Sequence, residues 1–100
     1  MTISEVTFEK VKAYLRADDY EEDDQLIKDI MTAAKSTIAA QIGYSEEEAS
    51  LLPALGIAFE MLVNDLYENR TANLEHSKYA AMQMNPVYNS IVGMYRQNFL

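Results

Sequence analysis

Between Ala54 and Val63 the chain carries one charged residue, Glu60. Leu55, Phe59, Leu62 and Leu66 recur there at steps of three and four, with Ala58, Met61, Asp65 and Tyr67 flanking the stripe. That spacing is helical. A helix apolar on nearly every side is buried on most of them. The pattern predicts a central core helix over 53–70, with Pro53 in the first turn, where its missing N–H has no partner to lose. Polarity returns only through Asn64, Asp65, Glu68, Asn69 and Arg70. The run is too short to cross a bilayer, which takes about 20 apolar residues.

Three further helices follow from the same reading. Thr7 suits an N-cap, with Val6 and Val11 placed as a hydrophobic staple. The helix it opens is expected over 8–16, with Phe8, Val11, Tyr14 and Leu15 inward. Ala17-Asp18-Asp19 reads as a break, after which Asp19 or a neighbour caps a second helix over 20–42. Its first turn holds Glu21, Glu22, Asp23 and Asp24, where acids complement the helix dipole. Leu26, Ile27, Ile30, Met31, Ala34, Ile38 and Ile42 form its apolar face, and Gly43 closes it. The connector Tyr44–Leu52 has Ser45 and Glu48 at capping-box spacing. Thr71–Asn85 shows no firm period and is expected as a long loop or hairpin excursion. Asn85-Pro86 then reads as cap and first helical residue, and Val87, Ile91, Val92 and Tyr95 predict a last helix over 86–97. The expected fold is all-α: a small bundle of about four helices in one domain spanning residues 1–100.

Charge narrows the partners. Sixteen acids against eight bases give a net charge of −8. Half of the acids lie within the first 24 residues, and none follows Glu75. Gripping DNA requires clustered Lys and Arg to neutralise phosphates, and docking on an anionic membrane requires a basic patch. Neither is present. There is no cysteine, so disulfides and thiolate chemistry are excluded. The start, MTISEVTFEK, shows no basic-then-apolar secretory pattern.

Chemistry-bearing constellations are equally sparse. The acidic run Asp18–Asp24 puts Asp23 where an EF-hand loop needs its sixth-position Gly, and Asp29 where it needs its Glu. His76 is the sole histidine and sits in the unpatterned stretch. Glu46-Glu47-Glu48 are consecutive on a polar connector, unlike a catalytic carboxylate pair held in a pocket. Gly43, Gly56 and Gly93 are too scattered for a phosphate-binding loop. No catalytic residue, metal site or cofactor is expected. What stands out is the last quarter, where Tyr79, Met82, Met84, Tyr88, Tyr95 and Phe99 gather with Met94. Aromatics and methionines at that density suit protein–protein contact, and they could equally pack on the domain's own core.

The order of short motifs adds a family resemblance. V-K-A-Y-L-R at Val11–Arg16 is followed by D-D-x-L-I at Asp23–Ile27 and A-A-K at Ala33–Lys35. L-Y-E-N-R at Leu66–Arg70 and M-Y-R at Met94–Arg96 complete the series. This succession resembles the tailed-phage head–tail connector family, often labelled "gp6-like" or "DNA packaging protein". The resemblance covers most of the chain outside Thr71–Asn85. It implies a non-catalytic virion protein, made in the bacterial host cytoplasm, that forms a closed heterologous ring of about a dozen copies. Such a ring sits below the portal protein, meets tail-side connector or stopper proteins, and lets DNA pass without specific binding. Asp23, Asp24 and Tyr67-Glu68-Asn69-Arg70 carry over as structural and interface positions only. The rival reading is a small helical DNA-binding regulator or terminase-like packaging subunit. That would need a recognition helix rich in Arg, Lys, Asn or Gln, whereas the best-formed helices here carry Ala, Ile, Glu and Asp.

Overall fold

A computed structural model describes residues 1–16, 21–68 and 86–96. Within them the protein is all-helical and has no strand. The elements are a 3₁₀ turn at Ile3–Glu5, α1 (Phe8–Tyr14), α2 (Asp24–Ile42), the short α3 (Glu46–Ala49), α4 (Leu55–Glu68) and α5 (Pro86–Tyr95). The excursion expected over Thr71–Asn85 falls outside the described residues.

The central helix is the core, as its pattern predicts. Leu55, Ala58, Phe59, Leu62, Val63 and Leu66 of α4 are buried. Its most extensive packing is against α2, which contributes Ile27, Ile30, Ala34, Ile38 and Ile42 to the same apolar cluster. Each large side chain fully buried here stabilises the fold by about 1.5–3 kcal/mol. The remaining elements lean on this pair: α1 and the 3₁₀ turn against α4, and α5 against both α4 and α2.

Local signals set most helix ends. Thr7 Oγ1 accepts the Lys10 N–H at 3.2 Å, and the flanking Val6 and Val11 are both buried. Gly43 takes the left-handed conformation at φ 78°. Its N–H, like that of Tyr44, donates to the Ala39 carbonyl. Ser45 and Glu48 exchange side-chain-to-backbone bonds at 3.1 and 3.3 Å, which makes α3 a stable single turn.

Several boundaries and facings differ from the pattern. α4 begins at Leu55, because Ala54 adopts a left-handed φ of 72° that interrupts the turn begun at Pro53. α2 begins at Asp24, with the Asp24 N–H donating to Glu21 in a turn just before it. α1 ends at Tyr14, and Arg16 has turned left-handed at φ 59°. Tyr14, expected inward, is 46% exposed. In α5 the inward residue is Tyr88, while Val87 is 56% exposed. The apolar set of that helix satisfies two registers one residue apart, and the bulkier aromatic takes the core side.

The N-terminal segment was not anticipated as structure. Ile3 and Val6 are buried on the body, and the Gly56 N–H donates to the Met1 carbonyl at 2.9 Å. The arm thereby satisfies one of the N–H groups that the start of α4 leaves open. Ser4 N–H donates to Ser50 O at 3.0 Å, tying the arm to the end of α3 as well. The Glu5 carboxylate accepts the Thr2 N–H at 2.8 Å, and that bond holds its pKa below the ordinary carboxylate value.

A candidate assembly interface

Three of the sequence motifs meet in space. Lys12 of V-K-A-Y-L-R lies 2.8 Å from Asp24 of the D-D pair, with the two side chains only 12% and 31% exposed. Next to it, the Tyr67 hydroxyl of L-Y-E-N-R donates to Asp23 Oδ2 at 2.7 Å. Asp23 occupies the N-cap position of α2, yet its side chain makes no capping bond; it is turned toward Tyr67 instead. The paired acids therefore tie α2 to α1 and to α4 at one end of the bundle. The acids expected to complement the dipole of α2 serve, at these two positions, as cross-braces.

The last helix is held by its tyrosines. Tyr88 is 1% exposed and donates to Gln41 Oε1 at 2.8 Å. Burial pushes its hydroxyl up to about 12, against a smaller opposing effect of Arg96. Tyr95 donates to the Pro53 carbonyl at 2.5 Å. Of the six residues expected to meet partners, these two are the ones described, and both are engaged inside the protomer. Tyr79, Met82, Met84 and Phe99 lie outside the described residues, as does His76. The outward face of α5 carries Val87 and Met94, the latter 68% exposed.

On the other flank, an open groove of about 360 Å³ runs between the N-terminal arm and α2. Ile3, Val6, Phe8, Met31 and Phe59 supply its apolar surface, and Lys28 and Lys35 stand at its rim. Two ammonium groups approach the Phe8 ring: Lys28 Nζ at 4.9 Å and Lys12 Nζ at 5.6 Å from its centroid, within the range of cation–π attraction. Among the described residues neither Lys28 nor Lys35 has a carboxylate within ion-pair distance. Sequence reading passed over this groove because its walls come from three separate stretches of the chain: the N-terminal arm with Phe8, α2, and Phe59 of α4. The visible hint was Lys28 and Lys35, seven residues apart on one face of an amphipathic helix.

Titratable groups on α4 are mildly perturbed. Burial raises Glu60 and Asp65 above the ordinary carboxylate range, and Lys10 partly offsets this for Glu60. No group of three or more His, Asp or Glu among the described residues is arranged to hold a metal ion. No described helix is long and apolar enough to cross a membrane. The arrangement is one of braces and faces.

Neither the curated proteins nor the solved structures provide a significant match. A family model does: "Phage gp6-like head-tail connector protein" matches residues 5–96, a span that includes all five motifs and the brace that three of them form. That family is structural, a component of the phage particle that contacts portal, capsid or tail proteins. With nearly the whole chain covered, the protein belongs to the phage gp6-like head–tail connector family.

Proposed function

We propose that the chain is the repeating unit of a closed connector ring of about a dozen copies that sits below the portal. The ring extends the DNA channel, joins the head to tail-side connector or stopper proteins and completes DNA packaging. The chain acts in it as one domain. The observation that carries this reading is the family match over residues 5–96.

Physical features support it. A wall that bound phosphates would brake a moving duplex, so a net charge of −8 suits a channel component. Exposed apolar residues at Leu51, Ile57, Val87 and Met94 leave surface for neighbours. The last quarter, with Tyr79, Met82, Met84, Tyr88, Tyr95 and Phe99, contributes to contacts between copies. Within α5 the outward carriers are Val87 and Met94, and Tyr88 and Tyr95 set the helix at the angle that presents them.

Native mass measurement across a concentration series, with and without portal-bearing capsids, tests the proposal. Ring-sized species are expected at high concentration or on the capsids. A protein that stays monomeric at millimolar concentration and ignores the capsids would refute it. Submicromolar, salt-sensitive binding to duplex DNA would instead favour a DNA-binding regulator or terminase-like packaging subunit.

A further inference from the structure

We propose that the groove between the N-terminal arm and α2 receives the Glu46–Leu51 turn of a second copy of this chain. This rests on the ring reading and names one of its contacts. The groove calls for an occupant with an apolar anchor and negative charge beside it. Its apolar lining is Ile3, Val6, Phe8, Met31 and Phe59, with Ser4 and Thr32 beside the two lysines. Its two ammoniums lie seven residues apart on α2, roughly 10 Å along the axis.

The α3 turn has that complement. Glu46 and Glu47 are exposed, and neither has an ion-pair or hydrogen-bonded side-chain partner among the described residues. Glu48 differs, because it is committed to Ser45. Helical hydrogen bonding continues past Ala49, from Ser50 N to Glu46 O and from Leu51 N to Glu48 O. Leu51 therefore falls near the face of Glu47, four residues earlier, and it is 65% exposed. A leucine flanked by carboxylates is thus displayed on a turn already braced by its capping box and by the Ser4–Ser50 bond.

Among the described residues Leu51 is left 65% exposed, available as the apolar anchor that the groove of a second copy would take. A nucleic acid fits less well, since two lysines over an apolar floor in a chain of charge −8 give phosphates little purchase. A second copy brings one groove and one turn, different patches that meet heterologously, as ring closure requires.

The test uses the full chain, which has no native cysteine. Thr32→Cys, at the groove, and Leu51→Cys are made separately, one with a mass tag, mixed equally and treated with a short bis-maleimide. Mixed dimers should far exceed the half expected from random pairing. Lys28→Glu with Lys35→Glu in the Thr32→Cys chain should cut their yield about tenfold. Glu46→Lys with Glu47→Lys in the other chain should restore it. All of these positions are at the surface or rim, and unchanged melting confirms that the variants fold. Random pairing, or a yield indifferent to charge reversal, overturns the contact. If wild-type rings form while the cross-link does not, this contact is wrong and the ring stands. If neither forms, both readings fall.

Discussion

Gly56 gives the sharpest test of how the N-terminal arm and the central helix are joined. By helix propensity alone, Gly56→Ala should stabilise the protein by about 0.5–1 kcal/mol. The structure reverses that sign. A Cβ at Gly56 would lie 2.7 Å from both the Met1 and Thr2 carbonyl oxygens and 2.9 Å from Met1 Cγ, where ordinary contact begins at 3.4 Å. Both oxygens belong to the backbone, so the arm itself must retreat. Losing the Gly56-to-Met1 hydrogen bond costs about 0.5–1.5 kcal/mol. Lifting Ile3, now 5% exposed, forfeits part of the roughly 1.5–3 kcal/mol its burial supplies. The net expectation is a loss of about 1–3 kcal/mol, or a fall in Tm of roughly 5–20 °C for a chain of this size. Circular-dichroism melting reads the fall directly. An Ile3→Asp background, where a buried charge detaches the arm, supplies the control: there Gly56→Ala should be neutral or stabilising. A full chain carrying Gly56→Ala that melts at or above wild type would show that the arm does not dock on α4.

Other substitutions probe the remaining parts of the argument. Phe59→Ala removes a ring that is 2% exposed and should cost about 3–5 kcal/mol by chemical denaturation; a change below 1 kcal/mol would mean that Phe59 is not a core residue. Ala54→Gly relieves a left-handed alanine and should gain about 1 kcal/mol, seen as a higher denaturation midpoint. Glu60 is raised by burial, so its folded state holds the proton more tightly than the unfolded chain. Its contribution to stability is full below the unfolded carboxylate value and is lost as pH rises through the raised one. Glu60→Gln should therefore melt higher than wild type at pH 7, with the difference closing at pH 4.

How far the sequence reveals this fold depends on where the information sits. Phe59, Leu62 and Leu66 were legible as core because an apolar run with a single interrupting charge has only one helical solution. Caps at Thr7, Gly43 and Ser45 were legible because their partners lie within four residues. Boundaries set from a distance were hidden. Nothing near Ala54 indicates that the Gly56 N–H will find Met1, so α4 appeared to start two residues early. The 3₁₀ turn left a faint trace in the Thr2-x-x-Glu5 spacing, which matches a capping box. The α5 register was ambiguous in principle, because Val87 and Tyr88 each complete an acceptable apolar face, and the choice falls to the Gln41 amide on another helix. The groove was hidden for the same reason: Phe8 and Lys28 become neighbours only once α1 is packed on α4.

That packing links the family's motifs to the surface offered to a second copy. Phe8 opens α1, and α1 is only seven residues long, too short to hold its position by its own hydrogen bonds. Its placement comes from Val11 and Leu15 in the core and from the Lys12–Asp24 bridge. Lys12 thus does two things at once. Its ammonium pairs with Asp24 and also lies near the ring of Phe8, whose other cationic neighbour is Lys28 at the groove rim. The D-D pair is fixed in turn by Tyr67, reaching from the end of α4 to Asp23. A chain of contacts therefore runs from the L-Y-E-N-R segment, through D-D and V-K-A-Y-L-R, to the aromatic wall of the groove. The motifs most visible in the sequence need not touch a partner to matter for assembly. They hold in register the side chains that would.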